Sequence, residues 1–213
     1  ECEVESNRIT INGVIGRNLE EKYSRYKAFD SLYNYLLQNK VVGISNIDTR
    51  ALVVHIREKG AMNCIISSET DDVDELNKQL SQVPNMNGLE LASAVSTTTV
   101  YEQGNTNASV RIAVLDFGIK QNILQCLVQR GVHVKVFPAH TAFEQLKNFE
   151  PDGYFISNGP GDPTAMPYAV STIQQILKEE KPLFGICLGH QLLALANNIP
   201  TFKMHYGHRG LNH

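Results

Sequence analysis

The sequence has no apolar run longer than about six residues, whereas a helix that crosses a bilayer needs roughly 20. No lysine- or arginine-rich stripe is present, and the net charge is −3. Nucleic acid and anionic membrane surfaces are therefore not the expected partners. No basic leader followed by an apolar stretch is visible, and there are no internal repeats or low-complexity tracts. Cysteine occurs four times, at Cys2, Cys64, Cys126 and Cys187, without any CxxC spacing. That argues against a disulfide framework and against structural zinc, and it fits a reducing cytoplasm. The opening "ECEVES" and the closing "GHRGLNH" both read as cut ends.

What is present is enough apolar residue, 42% of the 213, for one large or two small globular domains. In the first half, "FDSLYNYLLQ" predicts a helix with Asp30 as its N-cap and Leu32, Tyr35 and Leu36 on one face. "VVGIS" reads as a short strand. Asp48 caps a helix over "TRALVVHIREKG", with Leu52, Val53 and Ile56 as an apolar stripe and Gly60 as its stop. "AMNCIISS" is expected as a further strand. "DDVDELNKQLSQV" is an amphipathic helix with acidic residues in its first turn, where the helix dipole favours them. The polar stretch 96–109 is the best linker. The expected domains are 1–95 and 110–213.

Beyond that linker, strands and helices alternate. "RIAVLDFG", "VHVKVFP", "GYFIS" and "PLFGI" are strands; "IKQNILQCLVQRG", "TAFEQLKNF", "PYAVSTIQQILKE" and "GHQLLALAN" are helices. Thr141 and Glu144 have the spacing of a capping box. This order predicts an α/β domain with a mostly parallel sheet flanked by helices.

Gly185-Ile-Cys187-Leu-Gly189 lies where a strand runs into a helix. With serine at its centre, this spacing is the nucleophile elbow. A sharp turn lifts the central side chain above the sheet, and glycines two residues to either side relieve the crowding. The N–H groups that open the following helix favour a thiolate. The N–H of Leu188 is a natural oxyanion donor. Most free cysteines are simply small buried hydrophobes, and GxCxG alone fits that as well; the flanking apolar strand and helix favour the nucleophile. "SNGPGDP", residues 157–163, also ends a strand and exposes several backbone N–H groups. Taken alone it is an ordinary tight turn. One helix separates its strand from that of Cys187, so the two strands are expected to be parallel neighbours sharing a ligand-binding edge.

Asp116 in "DFGIKQN" is best read as a cap. His205, His208 and His213 have no standard metal-ligand spacing, and His190 is read as structural.

"FGICLGHQLLALA" resembles the nucleophile segment of class I, triad-type glutamine amidotransferases, and "FISNGPGDP" resembles their oxyanion loop. "VLDFGIKQNIL", "KMHYGHRGLNH" and "VVGISNIDTRALVVHIREKGAMNCII" are similar to the carbamoyl-phosphate synthase small-subunit family within that class. The resemblance covers nearly the whole chain. It implies a subunit that hydrolyses glutamine and passes ammonia to a large subunit, its partner. That large subunit uses ATP, bicarbonate and Mg to make carbamoyl phosphate for arginine and pyrimidine synthesis; no cofactor is implied in the small subunit itself. The resemblance assigns Cys187 as nucleophile and Gly159, Gly161, Leu188 and Gln191 to glutamine and oxyanion binding.

The family also needs a histidine base oriented by a glutamate, in an H-x-E pair. The 26 residues after Cys187 contain neither that pair nor any glutamate. The segment with His205, His208 and His213 matches a stretch that precedes the family's catalytic histidine. The expectation is a fragment, inactive alone, with an open sheet edge. The rival readings are the glutaminase of anthranilate or guanylate synthesis, a cysteine hydrolase of the α/β-hydrolase kind, and a non-catalytic scaffold subunit. "DTRALVVHIREKGA" speaks against the first, and "SNGPGDP" is unexplained by the second.

Overall fold

The computed structural model describes residues 9–207, except 27 and 29. Cys2, His208 and His213 lie outside the described residues. The chain divides into two compact units. One runs to Asn85 and resumes at Phe202; the other spans Met86–Thr201. No helix among the described residues is long and apolar enough to cross a membrane.

In the first unit, β1 (Gly13–Ile15) and β2 (Val42–Ile44) pair in parallel. Three helices accompany them: α1 (Leu32–Gln38), α2 (Thr49–Lys59) and α3 (Val73–Ser81). Asp48 caps α2 through the Ala51 N–H, and Gly60, at φ 93°, ends it. The cap of α1 is Ser31, not Asp30: the Ser31 hydroxyl accepts from the Asn34 N–H, while Asp30 accepts from Ser31 N–H and the Asn34 side chain. Both residue types cap well, and the helix starts one residue later than the apolar pattern suggests. The strand expected over 61–68 does not form among the described residues. Instead Asn63 donates to the Val83 and Pro84 carbonyls. In the α2 stripe, Leu52 and Ile56 are half-buried and Val53 is exposed.

The second unit is built on five strands: β3 (Tyr101–Gln103), β4 (Val110–Asp116), β5 (Val132–Pro138), β6 (Gly153–Ile156) and β7 (Leu183–Gly185). Their order is β3-β5-β4-β6-β7, all parallel except β3, which runs antiparallel to β5. Thus part of the stretch expected as a linker, Tyr101–Gln103, is an edge strand. Central β4 has no polar residue between Ile112 and Leu115, as a strand buried on both faces requires. Its alternate residues enter two cores. Ala113 and Leu115 join Tyr154, Ile156, Ile173, Ile176, Leu188 and Leu192 on one face. Val114 joins Leu124, Val134, Val136 and Phe155 on the other.

Helices α6 (Phe143–Lys147), α7 (Pro167–Leu177) and α8 (Leu188–Ala196) cover the first face, and α5 (Gln121–Val128) the second. The short α4 (Ala92–Val95) precedes β3. The fold is therefore α/β with a parallel-dominated sheet flanked by helices, as expected. The capping box at α6 is not made. Ala142 occupies the N-cap, so Thr141 falls one position too early and is buried. Among the described residues β7 is a free edge of the sheet, and Phe184 on it is 63% exposed.

Candidate active site

Two loops leave the C-terminal ends of neighbouring parallel strands. β6 leads into Ser157–Pro163 and β7 into Ile186–Cys187. The second loop is the sharper. Cys187 has φ 53° and ψ −110°, a conformation that costs a side-chain-bearing residue about 1–3 kcal/mol. It is the N-cap of α8, and its residue is exposed.

The flanking glycines explain how the turn closes. A Cβ on Gly185 would stand 2.7 Å from the Gly189 carbonyl group and 2.9 Å from the His190 nitrogen. A Cβ on Gly189 would stand 2.2 Å from the Ile156 oxygen and 2.8 Å from the Ser157 oxygen. These neighbours are all backbone, so neither position accepts a side chain without moving the sheet or α8. The elbow is then fastened by the Ile186 N–H to Ile156 O at 3.1 Å and the Gly189 N–H to Ser157 O at 3.0 Å. Leu188 and Leu192 anchor α8 in the core.

The first loop is equally constrained. A Cβ on Gly159 would stand 2.1 Å from the Phe117 oxygen, and Gly161 has φ 104°. The Ser157 hydroxyl accepts from the Phe117 N–H at 2.8 Å and donates to the Asn158 carbonyl. The Asn158 side chain donates to Gly118 O. Asp162 accepts from the Gly88 N–H and from the Thr164 N–H and hydroxyl. Asp116 ties the loop after β4 into the same edge: it accepts from Gly118, Ile119 and Thr97 N–H groups. It serves this turn and not α5, whose N-cap is Lys120.

The geometry thus brings Gly159, Gly161, Cys187 and Leu188 to one edge of the sheet. Gln191 sits one turn further along α8, exposed, with its N–H on Cys187 O at 3.1 Å. Of the N–H groups that open α8, those of Gly189 and Gln191 are used within the protein; that of Leu188 has no partner among the described residues, nor has that of Gly159. Unused N–H groups of this kind are able to donate to a developing oxyanion. His190 is exposed, and no histidine among the described residues hydrogen-bonds to Cys187. His205 belongs to the first unit, where its ring lies 3.1 Å from the Glu58 carbonyl.

Four residues at this edge carry no mark in the sequence. Glu90 accepts from Ser93 N–H at 3.0 Å and from the Tyr168 hydroxyl at 2.9 Å. The Ser93 hydroxyl lies 2.7 Å from His140 Nε2, and the His140 ring lies 4.1 Å from that of Tyr168. Burial raises the Glu90 carboxyl, but the hydrogen bonds from Ser93 and Tyr168 outweigh it and hold it below its ordinary value. Burial, reinforced by Glu90, pushes Tyr168 up to about 12.

Comparison with known proteins agrees with this architecture. Residues 113–213 match the family description "Glutamine amidotransferase class-I", and residues 1–66 match "Carbamoyl-phosphate synthase small chain, CPSase domain". The chain is 45% identical over 221 residues to the carbamoyl phosphate synthase small chain of Synechococcus sp., covering 98% of this chain and 56% of the relative. It is 43% identical over 211 residues to that of Chlorobaculum tepidum, covering 98% and 58%. It is 40% identical over 225 residues to that of Salmonella typhimurium, covering 98% and 59%. The chain thus spans less than two thirds of the length of these curated relatives. Over the span it covers, the chain is similar to carbamoyl phosphate synthase small chains, and its residues 113–213 match the class I glutamine amidotransferase family.

Proposed function

We propose that this chain is the nucleophile-bearing part of a glutaminase that supplies ammonia for carbamoyl phosphate synthesis. The observation that carries the reading is the Cys187 elbow: positive φ at a cysteine, enforced by two glycines with no room for a Cβ. The Cys187 sulfur attacks the side-chain amide carbon of glutamine. A C–S bond forms, the C–N bond breaks, and ammonia leaves with the thiol proton. Water then hydrolyses the glutamyl thioester to glutamate and restores the thiol. The N–H groups of Leu188 and Gly159 stabilise the oxygen as it becomes negative. Gly161 and Gln191 hold the glutamine.

The ammonia passes to a large subunit, the partner, which uses ATP, bicarbonate and Mg. The product feeds arginine and pyrimidine synthesis in the cytoplasm. Domain 1–95 belongs to the small chain's own N-terminal domain, and 110–213 to the glutaminase. Proton transfer to the leaving ammonia needs an acid–base group, and no histidine among the described residues hydrogen-bonds to Cys187. The chain alone therefore binds electrophiles at Cys187 without turning over glutamine.

The test is twofold. A chloroketone shaped like glutamine should alkylate Cys187, forming a C–S bond with loss of chloride, and Cys187→Ser should abolish that adduct. Ammonia release from glutamine by the chain alone should stay at background. Turnover near that of a complete small chain would overturn the requirement for an absent base. Alkylation spread equally over the cysteines would overturn the nucleophile.

A further inference from the structure

The glycine turn at 159–161 has a support from a distant part of the second unit. Glu90 faces Gly161 in an isolated antiparallel bridge. The Asp162 N–H donates to Leu89 O at 2.9 Å, and the Gly88 N–H to the Asp162 carboxylate at 2.8 Å. A Cβ on Gly161 would meet Leu89 O at 2.9 Å and Leu91 N at 3.0 Å. Residues 88–91 thus lie directly along the turn, and Gly161 is glycine partly because they do.

Beyond these direct bonds, the Glu90 side chain ties 88–91 to its surroundings. Its one oxygen takes the Ser93 N–H, at the start of α4, and the Tyr168 hydroxyl, at the start of α7. Tyr168 follows the glycine turn by only a few residues. Ser93 and Tyr168 are in turn joined through His140, hydrogen-bonded to the first and stacked on the second. Four side chains from three distant stretches close a ring beside the turn. None of them touches Cys187.

We propose that Glu90 is a positioning residue: through Tyr168 and Ser93 it holds residues 88–91 against the 159–161 turn and so sets the direction of the Gly159 N–H. The catalytic consequence rests on the glutaminase reading; the mechanical claim does not. Glu90→Gln keeps an acceptor oxygen for both donors, whereas Glu90→Ala and Tyr168→Phe break the link.

The experiment compares these three variants in the 213-residue chain by two readouts. Hydrogen exchange at the Gly88 and Asp162 amides, which bond between 88–91 and the turn, should speed up by about fivefold or more in Glu90→Ala and Tyr168→Phe and stay near wild type in Glu90→Gln. Alkylation of Cys187 by the glutamine-shaped chloroketone should slow by a similar factor in the first two and recover in the third. Alkylation by iodoacetamide, which makes no use of the turn, should be unchanged in all. Unchanged exchange in Glu90→Ala overturns the proposal, as does an equal slowing with both reagents. If the wild-type chain shows no preference for the glutamine-shaped reagent, the glutaminase reading fails, and exchange alone still decides whether Glu90 holds the turn.

Discussion

Gly189 lies so close beneath β6 that a methyl group in place of its hydrogen would stand 2.2 Å from the Ile156 carbonyl oxygen. This contact docks α8 on the sheet and thereby sets where Cys187 emerges. In an ordinary exposed helix, glycine to alanine stabilises by about 1 kcal/mol. Here Gly189→Ala should do the reverse, by about 1–3 kcal/mol, because the obstructing atoms are backbone and cannot turn aside. Urea unfolding measures it: the midpoint falls while the slope is unchanged. An unchanged or raised midpoint would mean α8 docks less closely.

Asp162 joins the glycine turn to Gly88 on one side and to Thr164 on the other. Asp162→Ala removes both acceptors and should cost about 1–2 kcal/mol. Asp162→Asn should fall between, since one amide oxygen serves one side while an amide N–H faces the other. Thermal unfolding of the two variants ranks them. Equal melting temperatures for all three proteins would contradict this role.

Glu102 on edge strand β3 pairs with Lys135 at 2.8 Å and His133 at 2.9 Å on β5. The hydrogen bond from Lys135 is the main reason its carboxyl lies below the ordinary 4.5, with His133 adding to it and burial opposing. A lowered folded pKa contributes stability above the unfolded value, and that stability is lost as the pH falls through the folded one. Unfolding free energy should therefore decline below about pH 4.5, and Glu102→Gln should make the decline shallower. Parallel acid limbs in the two proteins would show that the pair contributes nothing.

How much of this was legible beforehand follows from the kind of constraint involved. The elbow was readable because steric crowding demands glycine at both ends of Gly185-x-Cys187-x-Gly189, and that demand leaves a mark at fixed spacing. The unbroken Ile112–Leu115 run marked a central strand for the same reason: both faces must be dry. The Glu90, Ser93, His140 and Tyr168 ring left none. Its members meet only after the sheet has formed, and a glutamate at position 90 looks like any polar loop residue. Apolar residues around Cys64 suggested a strand, yet a strand exists only when a partner supplies its hydrogen bonds. Asp30 and Ser31 are both good caps side by side, and only the helix start distinguishes them.

The central claim is that the fold presents Cys187 as a nucleophile, and competitive alkylation with limiting iodoacetamide, quantified by mass spectrometry, tests it most directly. Cys64 is a control of equal kind, exposed like Cys187, and Cys126 is half-buried. Cys187 should label roughly tenfold faster than Cys64, because among the described cysteines only it sits at the start of a helix with unused N–H donors. Equal labelling of Cys187 and Cys64 would contradict the account.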